Sequence, residues 1–126
     1  MNGRDIDFFL KNVKGYGGLK NKQDLHTTKP GYMYVVFTGI SPQGHWVVLD
    51  LKKHFFFDSS GHPPTIYGLP HMKYNKKIIQ HSSSDVCGIY CLYYILKGEK
   101  GLKKFTHDTK NNDRWILKWL TSAVFN

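Results

Sequence analysis

Residues 80–91, QHSSSDVCGIYC, hold both cysteines of the chain, four positions apart. A cysteine here can pack as a small hydrophobe, ligate a metal, or act as a nucleophile. Metal binding needs further cysteines or paired histidines at ligand spacing, and the stretch has none. Nucleophilic chemistry needs a base and an acid brought from elsewhere in the chain. The local sequence suits it. Ser84 or Asp85 can cap a helix beginning near Val86, which puts Cys87 in the first turn. Unpaired backbone N–H groups and the positive end of the helix dipole converge there and favour a thiolate. Gly88 leaves the sulfur unshielded and gives a substrate backbone room to approach. One turn on, Cys91 is expected to be a buried, inert thiol.

The chain has seven histidines. His26, His54, His62, His71, His81 and His107 fall in turns or polar loops, where a solvated ring is expected. His45 differs, because it follows a turn and opens an apolar run beside Trp46. A tight turn at Lys52-Lys53 pairs Asp50 with Phe55 and Val47 with Asp58. That register brings His45 to the same end of the hairpin as Asp58. A carboxylate closing three phenylalanines needs a partner. Gln80, seven positions before Cys87, can aim its amide at a developing oxyanion beside the Cys87 N–H. By itself Gln80 also reads as a surface glutamine.

These residues must be carried by a definite set of elements. Residues 4–14 place Ile6, Phe9, Leu10 and Val13 at helical spacing, and GYGG at 15–18 ends that helix. Residues 19–31 read as loop. YMYVVFT at 32–38, HWVVLDL at 45–51 and HFFFD at 54–58 read as strands, with a turn at 41–44 and a hairpin at Lys52-Lys53. Residues 59–65 break structure with Gly and two prolines. Residues 74–80 suit a short strand and residues 86–97 a helix, whose Ile89, Leu92, Tyr93 and Leu96 face a core. After a polar loop at 98–110, Asn112 or Asp113 can cap a last helix with Trp115, Leu117, Trp119 and Leu120 for burial. The order implies one α+β domain over residues 1–126, with a largely antiparallel central sheet flanked by helices.

Eighteen Lys and Arg against nine Asp and Glu give a net charge of +9. Such a surface suits nucleic acid or another acidic partner, and equally a well-solvated exterior. Two cysteines on one helix make no disulfide framework, which points to a reducing compartment. No apolar run approaches the roughly 18 residues of a membrane-spanning helix. The opening MNGRDIDFFL lacks the layout of a signal peptide. A monomer without membrane contact is expected.

GHW at 44–46, FFFDSSG at 55–61 and Q-x6-C-G-x-Y-C at 80–91 resemble the adenain family of adenoviral cysteine proteases and its viral and transposon-encoded relatives. They are similar also to the SUMO- and ubiquitin-like-protein-specific proteases. The order His, acid, Gln, Cys agrees, the Gln-to-Cys step is closer to the adenoviral spacing, and residues 15–38 resemble the adenoviral lead-in. The resemblance spans roughly residues 5–97. It implies a papain-like, adenain-like fold with the nucleophile at the N-terminus of the central helix. It further implies His45 as general base, Asp58 as its orienting acid, Gln80 as oxyanion donor, Cys87 as nucleophile, and Trp46 with Gly88 at the substrate. Substrates would be viral precursor proteins cleaved after small residues such as Gly, in the virion and the nucleus or cytoplasm of a host cell. DNA is an activator in adenoviral members, and +9 supplies charge for it. Their disulfide-linked peptide cofactor is not expected, because no cysteine lies outside the 86–97 helix. Aspartate at position 58 is the SUMO-protease choice, so conjugates of a ubiquitin-like modifier form a second substrate class. A non-catalytic basic nucleic-acid-binding protein, with Tyr and Phe stacking on bases, is the alternative from another class.

Overall fold

The computed structural model describes residues 1–39 and 44–125. Residues 41–43 of the expected 41–44 turn therefore lie outside the described residues. Eight residues, Gly3–Leu10, form α1, entered through a reciprocal cap between Asn2 and Asp5. Ile6 and Leu10 are its buried side, whereas Phe9 is exposed, so the apolar stripe is narrower than its spacing implies. Five strands follow: β1 Tyr16–Asn21, β2 Met33–Phe37, β3 Trp46–Asp50, β4 Phe55–Phe57 and β5 Lys73–Tyr74. They lie side by side in chain order. β2, β3 and β4 pair antiparallel, while β1 and β5 add parallel edges. The sheet is mixed rather than largely antiparallel.

β1 occupies residues read from sequence as a helix stop and a loop. YGGLKN is poor in β-branched and aromatic residues, so intrinsic preference gives no strand signal. The ladder to β2 makes the strand, and its glycine is a packing requirement. A Cβ at Gly17 would stand 2.4 Å from the Tyr34 ring. Residues 22–27 then form a 3-10 turn on the way to β2. The run at 74–80 forms only the end of β5, and Ile78 is exposed.

The β3–β4 hairpin has the expected register, Asp50 opposite Phe55 and Val48 opposite Phe57. Asp50 is buried at its turn. It accepts the Lys52 and Lys53 N–H groups at 3.0 and 2.9 Å and the Tyr94 hydroxyl at 2.7 Å. Side chains alternate across the sheet. Val35, Val48, Phe55 and Phe57 face the helices, while Tyr34, Val36, Val47, Leu49 and Phe56 face a smaller core closed by Leu69. Phe57 stacks on Tyr94 with ring centroids 5.1 Å apart.

α2, Cys87–Gly101, is buried on every side from Cys87 to Ile95 and breaks at Gly98, whose φ is +73°. Leu96 lies outside the core at 47% exposure. No side chain caps the α2 N-terminus; Val86 is the cap, not Ser84 or Asp85. A 3-10 turn at Leu102–Lys104 follows, where a polar loop was expected. α3, Thr109–Phe125, starts earlier than expected, with Asp108 accepting the Asn111 N–H at 3.0 Å. Asn112 and Asp113 are inside the helix, not at its cap. Ile116 is fully buried, Trp115, Trp119 and Leu120 pack partly, and Leu117 is exposed. Ile116→Ala should accordingly cost about 2–5 kcal/mol in urea unfolding. Leu117→Ala should cost less than about 1 kcal/mol. Equal costs would mean that α3 docks through a different face.

Candidate active site

β3 and β4 present His45 and Asp58 at one end of the hairpin. His45 Nε2 lies 2.6 Å from Asp58 Oδ1. That contact commits Nε2 to the carboxylate and leaves Nδ1 free of it. Cys87 is the first residue of α2, and its Sγ also receives the Trp46 N–H at 3.5 Å. β3 and α2 thus meet at the sulfur, with Asp58 one contact away through His45.

Asp58 is wholly buried, so its charge must be met by donors. His45, the Tyr67 hydroxyl at 2.5 Å on Oδ2, and the Ser60 N–H at 2.8 Å on Oδ1 supply them. His62 stands 3.6 Å from Oδ2 on the exposed side. Asn75 holds the Asp58 backbone at both ends, accepting its N–H at 3.0 Å and donating to its carbonyl at 2.7 Å. Neither Tyr67 nor Asn75 was singled out from sequence. Both follow Gly- and Pro-rich stretches, and only tertiary structure aims them at Asp58.

Burial works against every charge here, and the pairing overcomes it. For His45, desolvation lowers the pKa, but hydrogen bonds and charge from Asp58 and Cys87 push it up to about 9. Burial raises the Asp58 pKa, yet His45, Tyr67 and Ser60 hold it below the ordinary carboxylate value. Burial also raises the Cys87 thiol, and His45, the Trp46 N–H and the Gly88 N–H outweigh it, leaving the pKa lowered. Cys91, with no such partners, is pushed well above the usual thiol range by burial and by the charges of Cys87 and Asp58. The two shifts run in opposite directions, favouring the anion at Cys87 and the neutral thiol at Cys91.

Gln80 is buried beside this group. Its Nε2 donates to the Ser84 carbonyl at 3.0 Å, and its Oε1 accepts from the Ser59 hydroxyl at 2.5 Å. A carbonyl only accepts, so Ser84 fixes which end of the amide is nitrogen. The second Nε2–H is left for another acceptor. The backbone on both sides of Gln80 is held by α3: Asn112 donates to the Ile79 carbonyl at 3.0 Å, and Asp113 accepts the His81 N–H at 3.3 Å.

Cys87, His45, Trp46 and Gln80 line one cleft of about 630 Å³, with Gly3, Phe37 and Gly44 among its walls. Phe37 and Trp46 pack 4.8 Å apart. A Cβ at Gly44 would fall 1.6 Å from the Phe37 ring, which is the steric reason for glycine before His45. Gly88 is not in that lining. It lies under α1, where a Cβ would meet Ile6 Cδ1 at 3.3 Å, so its smallness serves the packing of α1 on α2. Among the described residues, no three His, Cys, Asp or Glu side chains converge as a metal site, and no helix is long and apolar enough to cross a membrane. No protein-family model matches the chain, and no curated protein sequence matches it significantly.

Iodoacetamide should modify Cys87 and spare Cys91 in the folded protein at neutral pH, read by peptide mass spectrometry. Asp58→Asn removes the charge that keeps His45 protonated, so the Cys87 thiolate fraction should fall and labelling slow. Equal labelling of both cysteines, or a rate indifferent to Asp58→Asn, would contradict this electrostatic arrangement.

Proposed function

We propose that this chain is a cysteine endopeptidase with an adenain-like arrangement of its site. The observation that carries the reading is His45, held at 2.6 Å by a buried carboxylate, lining one cleft with a helix-start thiol. The Cys87 thiolate attacks the scissile carbonyl carbon, forming a C–S bond and moving an electron pair onto oxygen. The second Gln80 Nε2–H and the Cys87 N–H, which has no acceptor inside the helix, are the proposed donors to that oxyanion. As the intermediate collapses, the C–N bond breaks and imidazolium Nδ1–H protonates the leaving amine. Neutral His45 then takes a proton from water, whose hydroxide attacks the thioester and breaks the C–S bond. Asp58 keeps the imidazole ring in register through all steps and stabilises its cationic form.

Trp46 and Phe37 wall the cleft, with Gly3 and Gly44 beside them. Cleavage after small residues is part of the proposal, taken from the resemblance. Viral precursor proteins are the proposed substrates, acted on in the virion and infected cell. Conjugates of a ubiquitin-like modifier share the small-residue tail, and a panel of both substrate types separates them. A purely nucleic-acid-binding role leaves the lowered Cys87 thiol and the buried His45–Asp58 pair without purpose.

Cys87→Ala should abolish peptide cleavage while the fold is retained. For the wild type, kcat/KM should decline as pH passes about 9, because the raised His45 pKa marks loss of the imidazolium. A Cys87→Ala variant that still cleaves would refute the mechanism. Gln80→Ala should lower kcat about 10²–10³-fold with little change in KM. A change confined to KM would move Gln80 from oxyanion support to substrate binding.

A further inference from the structure

A second concavity, of about 560 Å³, lies away from Cys87 and is lined by Lys53, Lys73, Lys77, Lys100 and Lys103 against a single Glu99. Its walls come from different parts of the chain: the β3–β4 turn, β5 and the residue run after it, the end of α2, and the 3-10 turn beyond. The two sides meet at the α2 break. Lys73 Nζ is 3.6 Å from Glu99, and Lys53 Nζ lies 3.6 Å from where a Cβ at Gly98 would stand. Lys77 is spent on the Phe105 carbonyl. Lys53, Lys100 and Lys103 have no carboxylate partner among the described residues. The α2 C-terminal dipole rationalises Lys100 and Lys103. It does not rationalise lysines arriving from the sheet side, which repel the others across the same cavity.

We propose that this cleft binds a small ligand carrying clustered phosphates, either a nucleoside polyphosphate or a free oligophosphate. The volume falls in the range of small-ligand pockets, roughly 300–1,000 Å³. Lysines on opposing walls supply charge-assisted donors to several phosphate oxygens at once. The concavity favours a compact ligand over the rod of a nucleic-acid duplex. The proposal stands apart from whether Cys87 cleaves peptide bonds.

Calorimetric titration of the full chain with tripolyphosphate, ATP and a short DNA duplex at low salt tests it. Tripolyphosphate should bind, and tighter binding of ATP would assign the nucleotide form. Joint Lys53→Ala and Lys103→Ala substitution should weaken binding at least about tenfold, as expected for losing two charge-assisted contacts. Joint Lys110→Ala and Lys118→Ala substitution on α3, with the same change in net charge, should stay within about twofold. Equal weakening by both pairs would reduce the effect to net charge and overturn the site. Binding of the duplex without binding of tripolyphosphate would overturn it too.

Discussion

The 2.6 Å contact between His45 and Asp58 is the interaction on which the rest of the site depends. An isolated buried carboxylate costs several kcal/mol of lost hydration, and its natural response is to take up a proton. Asp58 stays ionised because a ring nitrogen, a phenol and a backbone N–H all donate to it. Its charge raises the His45 pKa, and His45 in turn lowers that of the Cys87 thiol. Breaking the first link would dissolve the chain of consequences. That explains why so much structure is spent on Asp58: β4 delivers it, Asn75 pins its backbone, and Tyr67 closes its outer oxygen.

Helix α2 contributes the other half. It is buried along its first nine residues, from Cys87 to Ile95, so its position against the sheet is fixed by packing. Fully burying a side chain such as Leu92 stabilises the fold by about 1.5–3 kcal/mol. That packing places the α2 N-terminus against the start of β3, where the Trp46 N–H reaches the sulfur. Cys87 and Cys91 show what position does to one chemistry. They share a helix and a residue type, yet donors surround one sulfur and hydrocarbon the other.

Much of this was legible in the sequence, for physical reasons that differ by element. The β3–β4 register followed from the tight turn at Lys52-Lys53, and it sufficed to bring His45 and Asp58 together. The first turn of α2 was readable from the apolar run after Cys87. Strand β1 was not, since a ladder and a Tyr34 ring over Gly17 create it rather than propensity. The cap of α2 was misplaced because Ser84 is drawn to His81, its hydroxyl donating to that carbonyl at 3.0 Å. The contact of Gly88 with α1 has no local signal either, since it needs two distant helices to meet. Tyr67, Asn75 and Asn112 carry no local signature. Each acts at a distance in sequence, on a backbone group or carboxylate that only the folded chain brings near.

The central claim is that Cys87 is a thiolate because His45 and Asp58 make it one. Ultraviolet thiolate absorbance, recorded against pH for the folded wild type minus Cys87→Ala, measures this directly. A thiolate that persists well below pH 9, the ordinary thiol value, and disappears at neutral pH in His45→Ala is the expected result. A Cys87 that titrates at or above that value, unchanged by His45→Ala, would contradict it.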